Sequence, residues 1–129
     1  MCSSTLKPQT QQKTVTVIGD AAVDMLIQMP RSKNESMAFN EISPTLTPGG
    51  TAGNTALALA GLGLDVDLCF AIGSDGYGQY LKNALLEHSV RINNIHIMRK
   101  TFTLHVTVVI DHLGERHFSG NHHLEFASV

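Results

Sequence analysis

The sequence predicts an α/β fold built on a parallel sheet, with a second, smaller β layer beside it. Two observations predict the main layer. Short β-branched runs alternate with Ala- and Leu-rich stretches, and each strand-to-helix junction is marked by glycine. A third predicts the small layer: paired strand signals at 23–42 and 94–118 stand outside that alternation and read as hairpins.

Taken in order, residues 1–13 are polar, rich in Ser, Thr and Gln, and read as a disordered leader. Thr14 to Ile18 is a β-branched run closed by Gly19-Asp20, so it reads as a buried strand ending in a turn. Val23 to Met29 alternates until Pro30. A loop follows at 31–36, and 37–42 reads as the return strand of a hairpin. Pro44 and Pro48 bracket a further loop that ends in Gly49-Gly50. The Ala/Leu run after it favours a helix, with Leu57, Ala60 and Leu64 on one face and Gly61 and Gly63 as the stop. Leu57, Leu59 and Leu62 read as core. Val66 to Ile72 is the next strand, 76–87 the next helix, and 88–93 a turn. Asn94 to Met98 and Thr101 to Ile110 read as strands. Asp111 to Gly114 is a hairpin turn, and Glu115 to Phe118 the return.

Composition bounds the function classes. The 129 residues are 43% hydrophobic and 16% charged, enough apolar material for a core. The net charge is -2, and the nine Lys and Arg are scattered, which argues against nucleic acid or a membrane surface as a partner. Cys2 lies in the leader and Cys69 in an apolar run, a pattern of reduced thiols rather than a disulfide framework. The N-terminal MCSSTLKPQTQQKT has no apolar segment of the secretory kind, and a cytoplasmic protein is expected.

Three turns could carry chemistry. Gly49-Gly50-Thr51-Ala52-Gly53-Asn54 opens a helix. Glycines let a ligand approach the backbone, and a helix N-terminus offers N–H groups, while the Asn54 amide both donates and accepts. The same residues also describe a plain turn and cap. Gly73-Ser74-Asp75-Gly76-Tyr77-Gly78 lies at the second strand-to-helix junction, where Asp75 serves equally as an N-cap. Gly19-Asp20-Ala21-Ala22-Val23-Asp24 follows the first strand. Asp24 would project near the carboxyl ends of the strands, where open α/β sheets bind ligands, or else be an exposed turn aspartate.

Other chemistries lack their signatures. The first turn, GDAAVD, has one glycine where a dinucleotide fold needs G-x-G-x-x-G, and no G-x-x-x-x-G-K-[ST] loop occurs. Histidines 88, 96, 105, 112, 117, 122 and 123 form no H-E-x-x-H motif, though His105 and His117 could face each other across a hairpin. No metal site is assigned.

In combination, the three turns resemble those of the ribokinase-like, PfkB-type carbohydrate kinases. Gly49 to Asn54 is similar to that family's first signature, continued by a small residue at Ala56 and glycines at Gly63 and Gly73. Gly73-x-Asp75-x-x-Gly78 matches its continuation, Gly19 to Asp24 matches the spacing of its substrate aspartate, and Glu115-Arg116-His117-Phe118 looks like its second lid hairpin. The resemblance covers residues 14 to about 120. Ala22 departs from the Asn that some sugar kinases of the family carry.

The resemblance implies a ribokinase-like α/β/α sandwich (partial) with a small β-sheet lid, residues 14–129 being the N-terminal part of the kinase domain. It implies ATP-dependent phosphorylation of a sugar or nucleoside hydroxyl, with ATP and Mg as cofactors of a full-length member. Asp24, Gly49, Gly50 and Asn54 would bind substrate hydroxyls, and lid strands around 25–42 and 96–108 would cover them, with a homodimer through the lid available. The family's D-T-x-G-A-G-D run, source of its anion hole and catalytic aspartate, is absent, so this chain is expected to hold the sugar-binding half only. A non-catalytic sugar-binding or dimerising chain is the alternative.

Overall fold

The structure, a computed structural model, describes residues 13–30 and 43–120. Ten elements follow in chain order: β1 (Thr14–Ile18), β2 (Ala22–Gln28), β3 (Thr45–Gly49), α1 (Thr51–Gly61), β4 (Asp65–Gly73), α2 (Gly76–Glu87), β5 (Val90–Arg91), β6 (Ile95–Met98), β7 (His105–Ile110) and β8 (Arg116–Gly120).

The main sheet is parallel and centred on β4, which pairs with β1 on one side and with β5 and then β6 on the other. Buried on both faces, β4 reads as a nearly continuous apolar run rather than an alternating one. Val66, Leu68, Phe70 and Ile72 are at most 1% exposed and pack with Leu81 and Leu85 of α2 and Ala52 and Ala56 of α1. Each large side chain buried this way contributes roughly 1.5–3 kcal/mol relative to exposure. Small residues dominate the buried stripe of α1, so the helix can lie close to the sheet. Leu57 and Leu59 only flank the core and Leu62 is 78% exposed, so the expected leucine core face is an alanine and glycine face instead. The helix ends as its glycines predict. Gly63 sits at φ 82°, its N–H reaches Ala60 O, and the Leu64 N–H reaches Leu59 O.

A second sheet, in the order β3-β2-β7-β8, is the small β layer. β2 pairs antiparallel with β3 and parallel with β7, and β7 and β8 form the hairpin expected around Asp111 to Gly114. Two expectations change, and a third lies outside the described residues. Thr45 to Gly49 is a strand rather than a loop. As an edge strand of its sheet it accommodates Pro48, which has no N–H to give the ladder. The strand proposed at 37–42 lies outside the described residues, and the described antiparallel partner of β2 is β3. Finally, β6 leaves the lid: its apolar Ile95 and Ile97 register with Phe70 and Ile72 of β4, extending the main sheet. Asp67 holds that crossover, being 7% exposed and accepting the Asn93 N–H and the Asn94 amide. His105 and His117 do not oppose each other either, because the hairpin register sets Val109 against His117. Among the described residues no helix is long and apolar enough to cross a membrane.

Candidate functional site

β1, β2, β3 and α1 converge on one corner, and Asp20 organises it. Its carboxylate Oδ2 accepts the Thr51 N–H at 3.0 Å, and its backbone carbonyl accepts the N–H groups of Ala52 and Gly53, each at 3.1 Å. The Asn54 N–H reaches the carbonyl of Gly50 at 2.9 Å. Three of the four donors that a helix N-terminus leaves open are thereby accounted for, and the Asn54 bond is the first of the helix itself. The N–H groups of Thr51, Ala52 and Gly53 are not available to a ligand: an aspartate from the preceding turn has taken them. Residue Asp20 was passed over in the sequence, where the only signal was an acid directly after a strand and before a glycine-rich helix start.

The two glycines are fixed by contact. Gly50 has φ 84°, and a Cβ there would lie 2.8 Å from Ala21 Cα and from Asp20 O. Gly49 is buried, and a Cβ on it would overlap the carboxylate of Asp24. Register explains the proximity. Ala22 pairs with Gly49 and Asp24 with Thr47, so Asp24 leans along the sheet onto the one position that has no side chain. Asp24 is half-buried, and desolvation by burial pushes its carboxyl above the ordinary range; among the described residues no cation is paired with it. Asn54 lies one turn into α1 and is exposed. The fold thus brings Asp24, Gly49 and Gly50 into direct contact or adjacency and sets Asn54 beside them through its bond to Gly50.

The second motif builds a joint rather than a binding surface. Asp75 caps α2 through the Gly78 N–H at 2.9 Å and also takes the N–H and hydroxyl of Thr103, at 2.9 and 2.6 Å. The Thr103 hydroxyl in turn accepts the Gly73 N–H at 3.0 Å. Burial alone would raise the Asp75 carboxyl, but the bonds from Thr103 and Gly78 outweigh it and hold the group below the usual carboxylate range. Strand β7 therefore starts at His105, not at Thr101, because the segment before it is spent on Asp75.

Two cavities lie away from this corner. One of about 380 Å³ is lined by Leu46, Asp75, Gly76, Tyr77, Tyr80 and Phe102. The other, of about 250 Å³, lies around Gly73, Ser74, Asp75, Gln79 and Lys82. Neither touches Asp24. The Asp75 carboxylate takes one N–H at the α2 terminus, and Asp20 takes three at that of α1. Among the described residues no group of three His, Cys, Asp or Glu is arranged to hold a metal ion.

Residues 12–125 match the family described as pfkB family carbohydrate kinase. The chain belongs to that family. This pfkB-family chain is 31% identical over 105 residues to a fructokinase of Salmonella typhimurium, a match that covers 81% of the chain and 31% of the relative. A ribokinase of Haemophilus influenzae is 29% identical over 92 residues, 71% of this chain and 30% of its own. A fructokinase of Xylella fastidiosa with bound ATP superposes with a TM-score of 0.70 at 30% identity, over 84% of this chain and 33% of that one. The ribokinase-like fold expected from the turns is therefore present, as two sheets and two helices among the described residues. The pfkB-family segment spans under a third of the curated relatives' length, a smaller share than the half expected.

Proposed function

We propose that this chain carries the sugar-binding part of an ATP-dependent carbohydrate kinase and phosphorylates a sugar hydroxyl only together with the remainder of such a domain. The carrying observation is Asp24. A partly desolvated carboxylate, pressed against a glycine and paired with no cation among the described residues, accepts hydrogen bonds from two vicinal hydroxyls well. Gly49 and Gly50 would let the sugar approach the backbone, and Asn54, exposed next to them, would donate and accept at a further hydroxyl. Fructose and ribose are the first substrates to try, given the names of the relatives. ATP and Mg would be held together with the remainder of such a domain. Calorimetric titration with D-fructose and D-ribose tests the reading: binding that Asp24→Ala abolishes supports it, and binding that Asp24→Ala leaves unchanged removes Asp24 from the site.

A further inference from the structure

We infer that Asp20 is a specificity-determining residue that restricts this site to neutral polyols and excludes sugar acids and sugar phosphates. The inference rests on the sugar-binding reading above and deepens it.

A glycine-rich turn opening a helix is ordinarily a place where anions bind, because the terminus combines free N–H groups with a partial positive charge. Here both attractions are cancelled by one residue. The Asp20 carbonyl and carboxylate occupy the N–H groups of Thr51, Ala52 and Gly53, and the Asn54 N–H is bonded within the helix. The Asp20 carboxylate also sets a full negative charge against the positive end of α1. Asp24, on the next strand, adds a second carboxylate to the same corner, and among the described residues no cation is paired with it. The cations of the described residues that have partners are engaged elsewhere, as Arg91 is with Asp65 and Thr14. An anionic ligand entering here meets two carboxylates, with the N–H groups of Thr51, Ala52 and Gly53 already taken. A neutral polyol meets two acceptors for its hydroxyls.

The test follows the backbone amides of Thr51, Ala52 and Gly53 by NMR in the intact chain. One arm compares D-fructose with D-gluconate, six-carbon polyols that are neutral and anionic. Gluconate binds the wild type at least about tenfold more weakly, a modest allowance for a like charge a few ångströms away. Asp20→Asn, which keeps the shape and the carbonyl but removes the charge, narrows that gap. Equal binding of the two by the wild type, or an unchanged ratio in Asp20→Asn, overturns the inference. The second arm uses inorganic phosphate and needs no sugar site. The wild-type amides do not respond, whereas that of Thr51 shifts in Asp20→Ala, since only its N–H loses the carboxylate while Ala52 and Gly53 keep the backbone carbonyl of residue 20. A wild-type response, or silence in both, overturns the role of Asp20. Should fructose fail to bind while the phosphate arm behaves as stated, the sugar-binding reading fails and the closure of α1 by Asp20 stands.

Discussion

The carboxylate of Asp24 rests against the α-carbon of Gly49, in the space where any other residue would carry its Cβ. The two lie on neighbouring antiparallel strands, one register step apart on the same face. The orientation of the acid is thus set by the absence of a side chain opposite it, and several outcomes depend on that contact.

Gly49→Ala forces the Asp24 carboxyl aside, since the added methyl and the carboxylate cannot share the space. Overpacking of this kind costs about 1–3 kcal/mol. Denaturant unfolding reads the loss, and sugar titration reads a weakened site. A variant as stable as the wild type would show that the lid backbone yields freely.

Asp24→Asn is expected to stabilise the fold at neutral pH while abolishing sugar binding. Burial raises the folded carboxyl above its unfolded value, so the fold prefers the protonated form. The cost of ionisation is absent at low pH and grows as pH rises through and above the ordinary carboxylate range. Melting temperatures of the two proteins should converge near pH 3 and separate toward pH 7, with the variant higher. A gap that is constant with pH contradicts this.

Thr103→Val removes a hydroxyl that is fully buried and bonded both to Asp75 and to the Gly73 N–H. Leaving those partners unmet costs about 1–3 kcal/mol. Asp75 has its folded carboxyl depressed, so its contribution is present above about pH 4 and is lost as pH falls through the lower folded value. Unfolding midpoints of Asp75→Asn and wild type should therefore approach each other in acid and diverge above it.

Asp111 organises the β7–β8 turn by accepting the N–H groups of Leu113 and Glu115, with His117 Nε2 at 2.9 Å. The bond from His117 leads the influences that bring its carboxyl down to about 2. Asp111→Ala should speed hydrogen exchange at Leu113 and Glu115 and leave the main sheet's protection unaltered, because the turn is exposed. Loss of protection in β4 would show instead that the hairpin supports the core.

What the sequence disclosed follows from how local each signal is. Thr14 to Ile18, the Ala-rich α1 and the Asp75 cap are written in adjacent residues, and all three are present. The strand Thr45–Gly49 was obscured by its two neighbouring prolines, whose turn chemistry outweighs Thr alternation until one sees that β3 is an edge. Ile95 to Met98 was assigned to the wrong sheet because a short apolar strand does not name its partner; the buried Asp67 that fixes it lies almost thirty residues earlier. Of the proposed site, Asp24, Gly49, Gly50 and Asn54 were named through the resemblance of their turns, and the fold sets them at one corner. Asp20 was not, since its role is to satisfy N–H groups some thirty residues away.

The parallel pairing of β2 with β7 joins segments some eighty residues apart, Val23 against His105. Closing so long a loop has to precede any return from the contacts it makes, which places this ladder late in folding. The strand that bears Asp24 is therefore expected to gain its second neighbour after α1, β4 and α2 have built the sheet beside it. Assembly of the Asp24 corner would then report on completion of everything before it, and refolding followed at Asp24 should trail refolding followed at Phe70.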